Sequence, residues 1–407
     1  MTPLPDMRRP DALWAHMRHT LAFYAPRVKD ESGGCFQFFK DDGRVFDRRT
    51  RHLVSSTRFV FNHALAWRWF GAPVADVAHA LAFVNQAHAQ PRGGYAWLLD
   101  WHGGRATVLD GTHHGYGLAF VLLANAHAAQ AGVPGAKDGI GATFELMEQR
   151  FWEPAYGLYA DEATPAWRLG PYRGQNANMH ACEAMLAAHA ATGEARYLDR
   201  ALTLATSITQ RQALQAGGLV WEHYKTDWTP DWDYNRDDKT NIFRPWGFQT
   251  GHLTEWAKLL LMLERQLGDA APDWLYASAR HFFDTAMRHG WDERHGGLVY
   301  GFAPGGEVCD ADKYFWVQAE SLAAAAWLAV RSGEEAYWTW YDRIWAYAWQ
   351  HFIDHEHGAW YRILAPDNSK LTDEKSPAGK TDYHTLGACQ DVLAALGVQP
   401  PAPETTT

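Results

Sequence analysis

Apolar residues recur at helical spacing over long, alanine-rich runs of this chain, and the runs come in pairs. Gly117 to Ala131 is followed by Ile140 to Phe151, and His180 to Thr192 by Ala195 to Leu214. Clusters rich in Gly and Pro or acidic residues split each pair, as at Ala131-Gly132-Val133-Pro134-Gly135 and Thr192-Gly193-Glu194. Trp256 to Leu263 predicts a further, buried helix. Between the pairs lies a short motif of glycine, apolar and aromatic residues. It occurs six times, around Gly33-Gly34-Cys35-Phe36, Gly93-Gly94-Tyr95, Gly157-Leu158-Tyr159, Gly217-Gly218-Leu219, Gly296-Gly297-Leu298 and Gly358-Ala359-Trp360. The glycines before the apolar residue are 34, 94, 157, 218, 297 and 358, at intervals of 60, 63, 61, 79 and 61. The long interval contains the loop from Tyr224 to Trp246. Each glycine predicts a helix stop and a tight turn, and the alternating residues after it a short extended piece.

Six helix pairs of one type predict an all-α fold, a toroid of the (α/α)6 barrel kind, with an open solenoid as the structural alternative. Residues 1–398 then form one catalytic domain and residues 399–407, ending PPAPETTT, a disordered tail. The net charge of −10, without a basic stripe, argues against nucleic acid. No run approaches the length of a membrane span, and the N-terminus lacks a signal-peptide core, so a cytoplasmic protein without a membrane partner is expected. The cysteines at 35, 182, 309 and 389 are too far apart to suggest a zinc site or a disulfide framework. The composition leaves the oligomeric state open.

Candidate chemistry gathers at one place in the repeat, the start of the first helix after each glycine. Arg58, Tyr116, His180, His252, Glu320 and His384 fill that slot in turn. Glu183 and Glu255 stand three residues beyond His180 and His252, on the same helix face. Glu255 and Asp391 are expected to orient His252 and His384. Imidazole exchanges protons near neutrality, and a guanidinium suits a developing enediolate oxygen. Together they predict proton transfer next to a sugar carbonyl. The 21 tryptophans are mostly core filler, with Trp316 expected to touch substrate. A glycoside hydrolase built on Glu255 and Glu320 would leave His384 and Arg58 without a role, and in a sugar-binding scaffold the three slot histidines would be replaceable with no loss beyond affinity. Asp354-His355-Glu356-His357 reads as a solvated loop rather than a metal site, and adjacent His113 and His114 point apart. No phosphate-binding glycine loop or nucleophile elbow is present.

Ser56-Thr57-Arg58, Tyr116-x-x-Ala119-Phe120, Asn176-x-x-x-His180-x-x-Glu183, Gly251-His252-x-x-Glu255-Trp256, Trp316-x-Gln318-Ala319-Glu320 and Lys380-Thr381-Asp382-Tyr383-His384 run in order along the chain. In these segments it resembles the N-acylglucosamine 2-epimerase superfamily. The resemblance implies an (α/α)6 barrel and cofactor- and metal-independent proton transfer. His384 is then the base at C2, His252 its partner, His180 an aid to ring opening, and Arg58 the enediolate donor. Asn176, Tyr116 and Trp316 would bind the sugar, with Glu255, Glu320, Gln318 and Asp382 as further contacts. Lys258 and Phe315 stand where the cellobiose epimerases of the family carry tryptophan. Together with the ending at Cys389, this points to the mannose and sulfoquinovose isomerase branch. The expected reaction is interconversion of D-mannose and D-fructose, with 2-epimerisation of a monosaccharide or sulfoquinovose isomerisation as alternatives.

Overall fold

The computed structural model describes residues 3–238 and 244–401. The Tyr224–Trp246 loop and the C-terminal tail therefore lie partly outside the described residues, at 239–243 and 402–407. The chain divides into two compact units. One comprises Tyr24–Ser207, Ser376–Tyr383 and Pro400–Thr407; the other comprises Met1–Phe23, Ile208–Lys375 and His384–Gln399.

The helices are α1 (Pro10–Tyr24), α2 (Leu53–Phe70), α3 (Val74–Phe83), α4 (Gly115–Gln130), α5 (Ala136–Arg150), α6 (Gln175–Thr192) and α7 (Ala195–Thr206), then the single turn α8 (Ala213–Gln215). They continue with α9 (Thr250–Leu267), α10 (Trp274–Gly290), α11 (Phe315–Ser332), α12 (Glu335–His351) and α13 (Tyr383–Ala395). The pairing expected from periodicity is present. In the first unit α4 packs against α2, α5 and α6, and in the second α9 packs against α10 and α11. Burial separates the members of each pair. Helix α7 buries only Tyr197, Ala201, Leu204 and Ala205, a single stripe. Helix α6 buries eleven of its residues on all sides, and α11 fourteen. Alanine at many of those positions lets helix backbones approach.

The glycine motifs form turns between short extended pieces. Trp291 bridges to Leu298 and Ile353 to Trp360, while Trp152–Glu153 pairs with Leu158–Tyr159. Gly297 has φ +79°, and a Cβ there would overlap the Tyr347 ring. A buried cation then ties most of these turns to the extended segment further along the chain. Arg51 meets Asp30 at 2.6 Å, Arg173 meets Glu153 at 2.7 Å, Lys313 meets Asp292 at 2.8 Å, and Lys375 pairs with Asp354. Asp354 is thus buried, unlike His355, Glu356 and His357, which are exposed as expected of a solvated loop. Burial alone would raise the Asp354 carboxyl; the Lys375 ammonium and the backbone N–H groups of Glu356 and His357 hold it below the usual range.

Helix α6 starts five residues before the periodic run that predicts it, and polar side chains explain the difference. Asn178, fourth in α6, accepts from the Tyr159 backbone N–H (2.8 Å) and donates to its carbonyl (3.0 Å). Gln318, fourth in α11, does the same to Leu298, at 3.0 and 2.8 Å. Gln318 therefore departs from its expected role as a substrate contact. Both ends of its amide are spent on a backbone strand that burial would otherwise leave unpaired. Replacing Gln318 with leucine orphans two buried backbone groups and is expected to cost about 1–3 kcal/mol of stability. Urea denaturation measures this, and an unchanged midpoint would contradict the clamp.

Candidate active site

Three helix starts in the second unit build one cluster. His252, third in α9, is 7% exposed, and its Nδ1 lies 2.9 Å from a carboxylate oxygen of Glu222. His384, second in α13, is 6% exposed, with Nδ1 2.7 Å from Glu320 of α11. The half-buried Trp316 ring stands 5.0 Å from the His252 ring and 5.8 Å from that of His384, centre to centre. Gly251 permits that approach, since a Cβ there would overlap the indole. The second oxygen of Glu320 accepts from Lys258 Nζ at 2.6 Å, and Lys258 also meets Asp391 at 2.9 Å. Burial would raise the Glu320 carboxyl; the Lys258 ammonium and the bond from His384 hold it below the usual range.

These partners correct two expectations. Glu222 and not Glu255 holds His252, and Glu320 and not Asp391 holds His384. A buried carboxylate must find a donor wherever the fold presents one, and here that donor comes from another segment. Glu320 is a partner of His384 and Lys258, which uses both oxygens that a substrate contact would need. Glu255 has a carboxylate oxygen within 4.8 Å of Glu320 and His384. A metal ion would accept that spacing, but Lys258 already neutralises Glu320, so we identify no metal ligands here.

A second cluster belongs to the first unit. Arg58 donates to the Gly379 carbonyl (2.6 Å) and to the Tyr116 hydroxyl (3.1 Å). Its guanidinium lies 4.5 Å from the centre of the Phe120 ring and 4.8 Å from that of Tyr383. His180 Nδ1 is 2.9 Å from Glu183, the i,i+3 pair read from the sequence. The other Glu183 oxygen accepts from the Tyr383 hydroxyl. The Tyr116 ring meets that of His180 edge-on at 5.1 Å. The side-chain oxygen of Asn176 is buried with no protein hydrogen-bond partner. Asp382 departs from its expected role as a sugar contact. It is fully buried, accepts from the Tyr24 hydroxyl and Lys380 Nζ (both 2.6 Å), and has φ +55°. Both bonds end on one carboxylate oxygen, in a residue held at a left-handed backbone angle.

Position within the helix separates candidates from core. Tyr116, Asn176 and Trp316 are each second in their helix and half-buried, beside fully buried neighbours. Burial of a histidine alone carries no function here. His52 caps α2 by accepting from the Val54 N–H (3.2 Å), and burial together with nearby His88 lowers it to about 3. His88 bonds to the Ala96 carbonyl and Ser56, and burial lowers it to about 4. His113 stacks on Trp167 at 3.8 Å, while His114 faces Glu162, so the adjacent histidines do diverge.

His180, His252 and His384 are buried, and each has a carboxylate oxygen 2.7–2.9 Å from Nδ1. An ionised carboxylate only accepts, so Nδ1 carries a proton, and in the neutral ring Nε2 is then the nitrogen with the lone pair. Glu222 escaped the sequence reading, and Lys258 entered it only as a mark of the family branch. The one available signal was charge within apolar runs, Leu219-Val220-Trp221-Glu222 and Trp256-Ala257-Lys258-Leu259.

Known proteins resemble this chain over most of its length. The N-acylglucosamine 2-epimerase (GlcNAc 2-epimerase) family profile matches residues 34–388. A D-mannose isomerase of Marinomonas mediterranea is 53% identical over 390 residues, covering 94% of this chain and 97% of that protein. A D-mannose isomerase of Thermobifida fusca is 40% identical over 357 residues, covering 86% of each. A crystal structure of D-mannose isomerase matches with a TM-score of 0.93 at 51% identity, covering 96% of this chain and all of that one.

Long-range proton–nitrogen NMR correlations at neutral pH should show the Nδ1–H tautomer for these three histidines. An Nε2–H tautomer at His384 would contradict the arrangement.

Proposed function

The chain belongs to the N-acylglucosamine 2-epimerase family, and from that premise we propose that it is an aldose–ketose isomerase interconverting D-mannose and D-fructose. The observation that carries the reading is the pair of histidines, His252 and His384, each held at Nδ1 and both beside the Trp316 ring. The names of the similar proteins support the choice of sugar. Within the proposal, the helix pairs form the (α/α)6 barrel of a single catalytic domain over residues 1–398. The six-fold recurrence of the glycine motif supports this. A cytoplasmic location belongs to the same proposal; among the described residues no helix is long and apolar enough to cross a membrane.

The chemistry follows from the side chains. His384 Nε2 takes the proton from C2 of the open-chain aldose, and the carbonyl at C1 becomes the oxygen of an enediolate. Arg58 donates to that oxygen. Return of that proton to C1, with a proton leaving O2 and one delivered to O1, completes the ketose, and His252 exchanges protons from the other side. His180 assists ring opening. Asn176 and Tyr116 bind hydroxyls, and Trp316 packs on the sugar C–H face.

Incubation of the purified protein with D-mannose and EDTA, followed by chromatography of the sugars, tests the reading. D-Fructose is the expected first product. D-Glucose appearing first would make it a 2-epimerase, and no product from mannose would sink the proposal. His384→Asn is expected to lower kcat/KM by about 10²–10⁴-fold. Arg58→Met should cost about 10²–10³-fold in kcat, the scale of a lost oxyanion donor.

A further inference from the structure

We propose that Lys258 is a positioning residue that sets the proton affinity of His384 through Glu320, with Asp391 as the counterweight. The inference rests on the role of His384 as the base, and it adds a part that the base requires. Three helices supply the parts. Lys258 comes from α9, Glu320 from α11, and Asp391 and His384 from α13. The bonds run in sequence: Asp391 to Lys258 at 2.9 Å, Lys258 to Glu320 at 2.6 Å, and Glu320 to His384 at 2.7 Å. Lys258 is 3% exposed and Glu320 2%, so solvent screens neither.

An ammonium buried this deeply is costly unless its partners are ionised. Lys258 therefore keeps Glu320 a carboxylate, acceptor-only toward His384 Nδ1. It also offsets much of the charge that would otherwise draw a second proton onto the imidazole. Asp391 offsets Lys258 in turn. The assembly sets two carboxylates against one ammonium. Removing the ammonium leaves both carboxylates bare, and proton uptake by His384 becomes easier. Removing Asp391 leaves one charge of each sign, and uptake becomes harder. Three other groups bear on the relay. Arg265 of α9 acts on Asp391, the Cys389 thiol is pushed up by burial and by Asp391, and Glu255 lies beside Glu320.

Two isosteric variants test this, because their signs are opposite. In Lys258→Met the acid limb of the kcat/KM–pH profile should move up by about 1–3 pH units, the scale of one nearby charge. In Asp391→Asn it should move down. The same shifts should appear in an NMR titration of the His384 imidazole, assigned by its absence in His384→Asn. The titration needs no substrate, so it reports on the relay even if mannose proves not to be turned over. Wild-type assays judge the sugar; the titrations judge Lys258. Profiles and titrations that coincide with wild type in both variants would overturn the proposal. So would shifts of the same sign. If Lys258→Met does not fold, the sign of the Asp391→Asn shift decides alone.

Discussion

The bond between a buried imidazole Nδ1 and a carboxylate is the constraint on which the rest of this molecule depends. It occurs at His180, His252 and His384, each under 8% exposed. An imidazole in apolar surroundings can turn over or exchange tautomers unless one nitrogen is committed. Committing Nδ1 leaves Nε2 as the atom to which the proposed chemistry assigns the proton transfer. A buried carboxylate must be compensated in its turn. Glu320 is neutralised by Lys258. Glu222 comes from the extended segment that follows Trp221, at 3% exposed. Around His180 the second carboxylate oxygen is taken by the Tyr383 hydroxyl.

Those bonds need helix starts placed to within a few tenths of an ångström, and the repeats supply that. Four of the six glycine turns are fixed to later segments by buried groups. Arg51, Arg173, Lys313 and Lys375 reach carboxylates just before a turn. Asn178 and Gln318, fourth in their helices, grip the backbone just after one. The same few polar contacts therefore register the first turn of a helix, where Tyr116, Asn176, Trp316 and His384 sit at position two. Buried ion pairs add little net stability compared with apolar packing, but they do select one arrangement over others. We read their recurrence here in that light.

Much of this was legible in the chain. Glycine pairs and alanine-rich periodicity announced the turns and the helix pairs, because both signals are local. The slot at each helix start located the histidines, Arg58 and Glu320. The i,i+3 rule found the partner of His180, since one helix contains both residues. Partners across segments were not legible. Glu255 and Asp391 were expected to orient His252 and His384, yet Glu222 and Glu320 do so, from 30 and 64 residues away. Gln318 and Asp382 read as ligands because polar groups at helix starts resemble binding residues. In the structure their bonds go to backbone, Tyr24 and Lys380. Lys258 marked a branch of the family by its position alone; its charge has meaning only once Glu320 and Asp391 lie beside it.

The central claim is that a histidine held at Nδ1 moves the C2 proton as a proton, through an enediol. Turnover of D-mannose in D₂O, followed by NMR of the ketose, tests that most directly. The account predicts D-fructose carrying solvent deuterium at C1 alongside some protium retained from C2, because the imidazole that holds the proton also exchanges with water. Complete transfer of the C2 hydrogen, with no solvent deuterium in product at any extent of reaction, would mean a hydride shift and would contradict it.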